Sequence, residues 1–257
     1  MSVFRFRRFT VENTESAMKV NTDGVLLGAL MTIRSEDRTY LDVGTGTGTI
    51  ALMAAQRVSV FSGTSDVSAD GVSGKISPDA PAIIGIDIDG PSAREAAVNF
   101  AGSPWPDMLE AKHLPLSGLS GPDVPAAFDH IFSNPPYYDL SLQAPDMRRN
   151  AARHTDTLSY RELTAFAAEH LAADGILSMI LPADSELWLL RHARMNGLQP
   201  VRIVRIRTVE RKKPSRIVAE FSKRHSGDCR EQLLTLMKDG SFTPEYRELT
   251  KPFYINI

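Results

Sequence analysis

The sequence predicts an α/β protein of three layers, a seven-stranded mixed sheet with its last strand antiparallel and helices on both faces. Three observations lead there. Short apolar stretches alternate with helical ones along most of the chain, the pattern of parallel strands joined by covering helices. The last two strand-like stretches are joined only by Thr208–Pro214, too short for a parallel crossover, so they pair antiparallel. A glycine-rich turn also links one apolar strand to the helix after it.

Taken in order, a helix is expected over Asp23–Ile33 and a strand over Thr39–Val43, followed by a helix over Thr47–Val58. Ser59–Ala80 is rich in Ser, Gly and Asp and poor in apolar residues, which predicts an irregular insertion. A strand over Ala82–Asp87 leads to a helix over Pro91–Phe100, Pro91 suiting a first helical turn. Strands follow over Met108–His113 and Asp129–Ser133. Tyr160–Ala173 reads as a helix, with Ser159 and Glu162 at capping-box spacing and Gly175 just past its exit. A strand over Gly175–Pro182, a helix over Asp184–Asn196 closed by Gly197, and strands over Gln199–Arg207 and Ser215–Lys223 complete the set. Residues 1–257 are read as a single domain interrupted at 59–80.

Composition narrows the function classes. With 257 residues, 42% of them apolar, the chain buries a sizeable core without staples. The single cysteine, Cys229, excludes an intrachain disulfide and a Cys-rich zinc site. The six histidines show no ligand spacing, so no metal is expected. No apolar run approaches the ~18–20 residues that span a membrane. Met1–Arg8 is basic without an apolar stretch behind it, so no signal peptide is read and a cytoplasmic location is expected. The formal charge is −2, yet Arg202, Arg205, Arg207, Arg211, Lys212, Lys213 and Arg216 cluster against one acid, Glu210. That cluster is either a solvated strand and loop or a phosphate-contacting edge.

The glycine turn carries the first chemical signal. Asp42 precedes Gly44, Gly46 and Gly48, and glycine permits positive φ and close ligand approach. The spacing is not the G-x-G-x-x-G of dinucleotide sites. A carboxylate at Asp42 would repel a pyrophosphate and suit a cationic ligand. Asp87, at the end of the next strand, can accept both hydroxyl hydrogens of a ribose, while Asp89 fits a helix N-cap.

The second signal is Asn134-Pro135-Pro136-Tyr137, which follows a strand. Two prolines remove two amide donors and stiffen the exit. An amide oxygen on Asn134 and the Pro135 carbonyl then form a fixed pair of acceptors, matched to the two donors of an exocyclic amino group. Tyr137 can offer a face to a planar group; Tyr138 is a weaker candidate.

Asp42–Gly48 and Asn134–Tyr137 together resemble the S-adenosylmethionine-dependent amino-methyltransferases of Rossmann-like fold. Phe9–Gly28, Ser133–Tyr138 with Arg153–Leu158, Arg211–Arg216 and Tyr246–Tyr254 narrow this to a resemblance to the bacterial tRNA1(Val) (adenine-37-N6)-methyltransferases, running nearly end to end. The resemblance implies S-adenosyl-L-methionine as cofactor and adenine 37 in the anticodon stem-loop of a tRNA as substrate. It implies cofactor contacts from Asp42, Gly44, Gly46, Gly48 and Asp87, with Lys19, Thr22 and Asp23 closing over the methionine end, Thr22 alternatively being a helix N-cap. Asn134, Pro135 and Tyr137 would do the chemistry. One departure is the absence of an Asp after the third strand, where Glu110–Leu116 reads EAKHLPL, so the contact to the cofactor's adenine is not assigned. The alternatives are a protein glutamine methyltransferase acting on release factors, a nicotinamide-dependent dehydrogenase and a catalytically silent RNA-binding module. The basic clusters and the lack of a separate helical N-terminal domain weigh against the first, the glycine spacing and Asp42 against the second, and the presence of Asn134 and Asp42 together against the third.

Overall fold

A computed structural model describes residues 2–61, 82–121, 124–136, 159–224 and 227–256. Most of the predicted insertion lies outside them, as do Tyr137, Tyr138 and Arg153–Leu158.

The chain opens with an antiparallel hairpin, β1 (Val3–Arg5) and β2 (Thr10–Glu12), with Phe4 opposite Val11. Helix α1 (Thr22–Leu30) leads to strand β3 (Thr39–Val43), then α2 (Thr49–Phe61), β4 (Ala82–Asp87) and α3 (Gly90–Ala101). Strands β5 (Leu109–His113) and β6 (Phe128–Ser133) follow, then α4 (Tyr160–His170), β7 (Leu171–Pro182), α5 (Glu186–Met195), β8 (Gln199–Val209) and β9 (Arg216–Ser222). Strands β10 (Arg230–Lys238) and β11 (Ser241–Phe242) and helix α6 (Pro244–Thr250) end the described chain.

One nine-stranded sheet runs in the order β11-β10-β8-β9-β7-β6-β3-β4-β5. Strands β3 to β7 are mutually parallel, and β9 slots between β7 and β8 antiparallel to both. The seven expected strands and their antiparallel last member are therefore present, but β10 and β11 extend the sheet past β8. The central strands are buried on both faces, and successive residues point to opposite sides of the sheet. Tyr40, Ile83 and Phe132 join the apolar cluster packed under α1, α2 and α3, and Leu41, Ile84 and Ile131 join the opposite cluster under α4 and α5.

Several boundaries differ from the sequence expectation; α1, for one, ends at Leu30 rather than Ile33. Ser59–Phe61 continue α2 instead of opening an irregular segment, the Ser59 hydroxyl donating back to the Gln56 carbonyl at 2.9 Å. Helix α4 has the expected Ser159–Glu162 capping box but ends at His170, and Gly175 lies inside β7 rather than after a helix. A Cβ at Gly175 would stand 2.8 Å from the Phe128 carbonyl oxygen, so glycine serves the close approach at the β6–β7 register shift.

Candidate active site

Because β3 is flanked by β6 on one side and β4 on the other, the connections part there, which is where ligands settle in open α/β sheets. The glycine turn follows β3, Asp87 ends β4, and Asn134 follows β6. In the turn, the amides of Gly44 and Thr45 both donate to the Ile86 carbonyl at 2.9 Å, tying it to β4. Gly44, Gly46 and Gly48 have φ of 72°, 56° and 78°, the left-handed region. Their surroundings differ. A Cβ at Gly44 would meet nothing within 4 Å, whereas one at Gly48 would stand 2.4 Å from Phe100 of α3. Gly44 and Gly46 line a cavity shared with Lys19, Asn21, Thr45 and Asn134, while Gly48 is a packing glycine outside it.

Asp42 does not lie on the cavity wall. It is fully buried beneath the turn, accepting from the Thr45 hydroxyl at 2.8 Å. Burial, reinforced by the charge of Asp87, pushes its carboxyl up to about 7 against the pull of the Thr45 hydroxyl and the Ala51 amide. What Asp42 visibly does is support Thr45, which lines the cavity. Asp87 accepts from the Gly46 amide and the Asp89 amide, one per oxygen, both at 2.9 Å. Each oxygen keeps further acceptor capacity. Burial raises its carboxyl, with those two amides opposing. Asp89 caps α3 as expected, accepting from Ser92.

Thr22 is not the helix N-cap. It is the exposed first residue of α1, and the cap is Asn21, which accepts from the Gly24 amide at 2.9 Å and also lines the cavity. Lys19 does line the cavity, its Nζ donating to the Thr14 carbonyl at 2.6 Å. Asp23 pairs with Arg216 at 2.8 Å. Asn134 is buried, its Nδ2 lying 3.5 Å from the Met18 sulfur, and Pro135 is buried beside it. Met18 and Asn21 were not singled out from the sequence. Asn21 carried a legible signal, an Asn three residues before the amide it caps, but Met18 carried none.

The basic cluster divides. Arg205 pairs with Glu186 and Glu231, Arg216 with Asp23, and Arg202 lies 3.6 Å from buried Glu220; Arg207 bonds Thr235 and the Glu210 carbonyl. The exposed side chains of Arg211, Lys212 and Lys213 have no ion-pair or hydrogen-bond partner among the described residues. Their turn leads into β9 at Arg216, beside the end of β7 at Pro182, and so lies at the same sheet edge as the glycine turn. Among the described residues, no group of three or more His, Cys, Asp or Glu could hold a metal ion, and no helix is long and apolar enough to cross a membrane.

The chain is 36% identical over 255 residues to the tRNA1(Val) (adenine(37)-N6)-methyltransferase of Bacteroides fragilis, covering 99% of this chain and 98% of that protein. Proteins of the same name from Flavobacterium psychrophilum and Photobacterium profundum are 34% and 32% identical at similar coverage. The chain belongs to this methyltransferase family. No family model matches it. A predicted O-methyltransferase from Agrobacterium tumefaciens superposes with a TM-score of 0.59 at 18% identity, over 92% of this chain and 100% of that one. A restriction-modification methyltransferase subunit from Streptococcus thermophilus superposes at 0.54. These likenesses establish the α/β methyltransferase fold, and the family assignment rests on the sequence relatives.

Proposed function

We propose that this chain transfers a methyl group from S-adenosyl-L-methionine to the N6 amino group of adenine 37 in tRNA1(Val), the reaction that the name of its relatives describes. The observation that carries the reading is that Asn134 lines the same cavity as Gly44 and Gly46, with open space in front of Gly44. The residues fit the cofactor. The space in front of Gly44 is one a Cβ would enter, and Asp87 is held by two amides with acceptor capacity to spare for a ribose. Lys19, Asn21 and Thr45 would hold its other end. Bound there, the cofactor supplies an electrophilic methyl group.

The chain's own contribution is electrostatic and geometric. The lone pair of an adenine amino group is delocalised into the ring. Accepting both amino hydrogens, at Asn134 Oδ1 and the Pro135 carbonyl, favours pyramidal nitrogen and stabilises the positive charge that develops there. The two prolines keep that pair fixed, so little reorganisation is needed. No strong base is required, because the methylated nitrogen is acidic and loses its proton to water. Tyr137 serves as the stacking face for a base turned out of its loop. The exposed turn at Arg211–Lys213 meets backbone phosphates of the anticodon stem-loop, whose unpaired bases cost less to extrude than those of a duplex. A tRNA substrate carries with it a cytoplasmic setting.

The test is methylation of unmodified tRNA transcripts followed by nucleoside mass spectrometry. N6-methyladenosine is expected in tRNA1(Val) and absent from a transcript with guanine at position 37. Methyl transfer to a release factor and none to tRNA would replace this reading with the glutamine one.

A further inference from the structure

Glu95, on α3, is buried, yet every hydrogen bond its carboxylate accepts comes from one exposed loop about 80 positions earlier. Oε1 accepts from the Thr14 amide, the Glu15 amide at 2.8 Å and the Thr14 hydroxyl at 3.1 Å, and Oε2 accepts from the Ser16 amide at 2.9 Å. Three successive amides aimed at one point make an anion-binding concavity, and here a side chain of the same chain fills it. Burial alone would raise the Glu95 carboxyl, but these amides outweigh it and hold the group below its ordinary range.

The loop leads straight to the site. Asn13 Oδ1 accepts from the Val20 amide at 3.0 Å and closes it, and the Ser16 hydroxyl donates to the Met18 carbonyl at 3.1 Å. A Cβ at Gly46 would stand 3.4 Å from Ser16 Oγ and 3.6 Å from the Met18 oxygen, so the loop lies against the glycine turn. Met18 presents its sulfur to the Asn134 amide nitrogen, and sulfur there is only an acceptor, so the NH2 end of that amide is the end turned toward Met18. Thr14, Glu15, Ala17, Met18 and Lys19 are all exposed. The loop therefore buries little apolar surface of its own, and polar ties decide whether it stays closed.

We propose that Glu95 is a positioning residue for methyl transfer: by gathering the amides of Thr14, Glu15 and Ser16 it sets Met18 against Asn134 and Lys19–Asn21 along the cavity wall. The proposal rests on the reading of that cavity as the cofactor site. Glu95→Gln keeps the shape but replaces one acceptor oxygen with a donor that faces an amide.

The experiment combines hydrogen exchange of the amides of residues 14–16, thermal unfolding, calorimetry with S-adenosyl-L-methionine, and steady-state kinetics on tRNA. For Glu95→Gln the expected result is a melting temperature within a few degrees of the parent, faster exchange at those amides, and a cofactor Kd about tenfold higher, the scale of one lost charge-assisted hydrogen bond. The cofactor KM rises and kcat falls as well, because the Met18 contact to Asn134 loosens. Thr14→Val removes only the hydroxyl donor and is expected to move Kd about twofold to fivefold in the same direction; it carries the test if the glutamine variant fails to fold. Faster exchange with parental Kd, KM and kcat overturns the proposal, as does parental exchange in the glutamine variant. A parent that binds no cofactor overturns the functional reading and this proposal with it, whereas a binding parent and an equally binding variant overturn the positioning role alone.

Discussion

At the scale of single residues, burial separates the side chains that line the cavity from those that hold them in place. Asn134 stands on the cavity wall, so its proposed role is chemical. Asn134→Ala is expected to leave cofactor affinity by calorimetry near the parent value and to cut kcat by about 10²–10³-fold, by analogy with losing one preorganised polar contact. Parental turnover would end the proposed mechanism. Asp42 and His130 are the buried groups with opposite pH signatures. His130 is fully buried on β6, its Nε2 2.8 Å from the Ser178 hydroxyl, which spends its own hydrogen on Glu220. The imidazole therefore donates from Nε2 and buries an unpaired Nδ1. Burial, then the charges of Arg57 and Arg34, lower its pKa from 6.5 to about 3. Between those values the unfolded chain binds a proton the folded one refuses, so this group costs stability as pH falls. Asp42, raised from 3.8 to about 7, does the reverse: the folded state holds a proton the unfolded state lacks, and stability is lost as pH rises through that window. Each slope is at most about 1.4 kcal/mol per pH unit, and in the parent they oppose one another. Asp42→Asn removes the arm that opposes the histidine and leaves the other groups in place, so urea denaturation should show stability climbing more steeply between about pH 4 and 6.5 than in the parent. Equal slopes in the two proteins would refute the assignment.

At the scale of elements, the glycine turn separates folding from binding. Gly48→Ala combines a φ of 78° with a Cβ 2.4 Å from Phe100, inside a packed helix–turn contact. A loss of about 1–3 kcal/mol is expected, read as a lower melting temperature. Gly44→Ala shares the positive φ but meets nothing within 4 Å, so its added methyl enters the ligand space. Its larger effect should fall on cofactor affinity. Equal stability losses with unchanged affinity in both would contradict this division. The sequence showed the turn and its glycines but could not sort them, because the sorting depends on Phe100, 52 positions from Gly48. Elements with local signals were legible, such as α4 with its Ser159–Glu162 box and α3 with Pro91 in its first turn. Strand β10 was not, since its first four residues are exposed and its partner β8 lies 28 positions earlier in register. The β1–β2 hairpin has three-residue strands, too short for a period to register. Glu95 was illegible for the same physical reason as β10: its four donors come from Thr14–Ser16 and meet it only in the fold.

At the scale of the whole molecule, the proposed substrate is a polyanion while the chain's net charge is −2, and the fold shows which members of its basic cluster are already engaged within the protein. Read along the sequence, the Arg202–Arg216 stretch offers a row of phosphate partners. In the fold, Arg202, Arg205, Arg207 and Arg216 serve the sheet and α1 instead, facing Glu220, Glu186, Glu231, Thr235 and Asp23. What remains is the turn of Arg211, Lys212 and Lys213, exposed at the edge where β3, β4 and β6 end. The Arg216–Asp23 pair fastens the base of that turn to α1, whose Gly24 lines the cavity. Phosphates gripped at the turn therefore lie on the same side of the sheet as Asn134. Each phosphate neutralised adds about 0.7–0.9 to the slope of log affinity against log salt. Replacing Arg211, Lys212 and Lys213 together with Ala should lower that slope by about 2–3 and weaken tRNA binding most at low salt. Cofactor affinity should be unchanged, because none of the three side chains lines the cavity. The check is filter binding of tRNA across a salt series beside calorimetry with the cofactor. If the triple variant keeps the parental slope, the turn is a solvated loop, and the proposed tRNA substrate reaches Asn134 along another face.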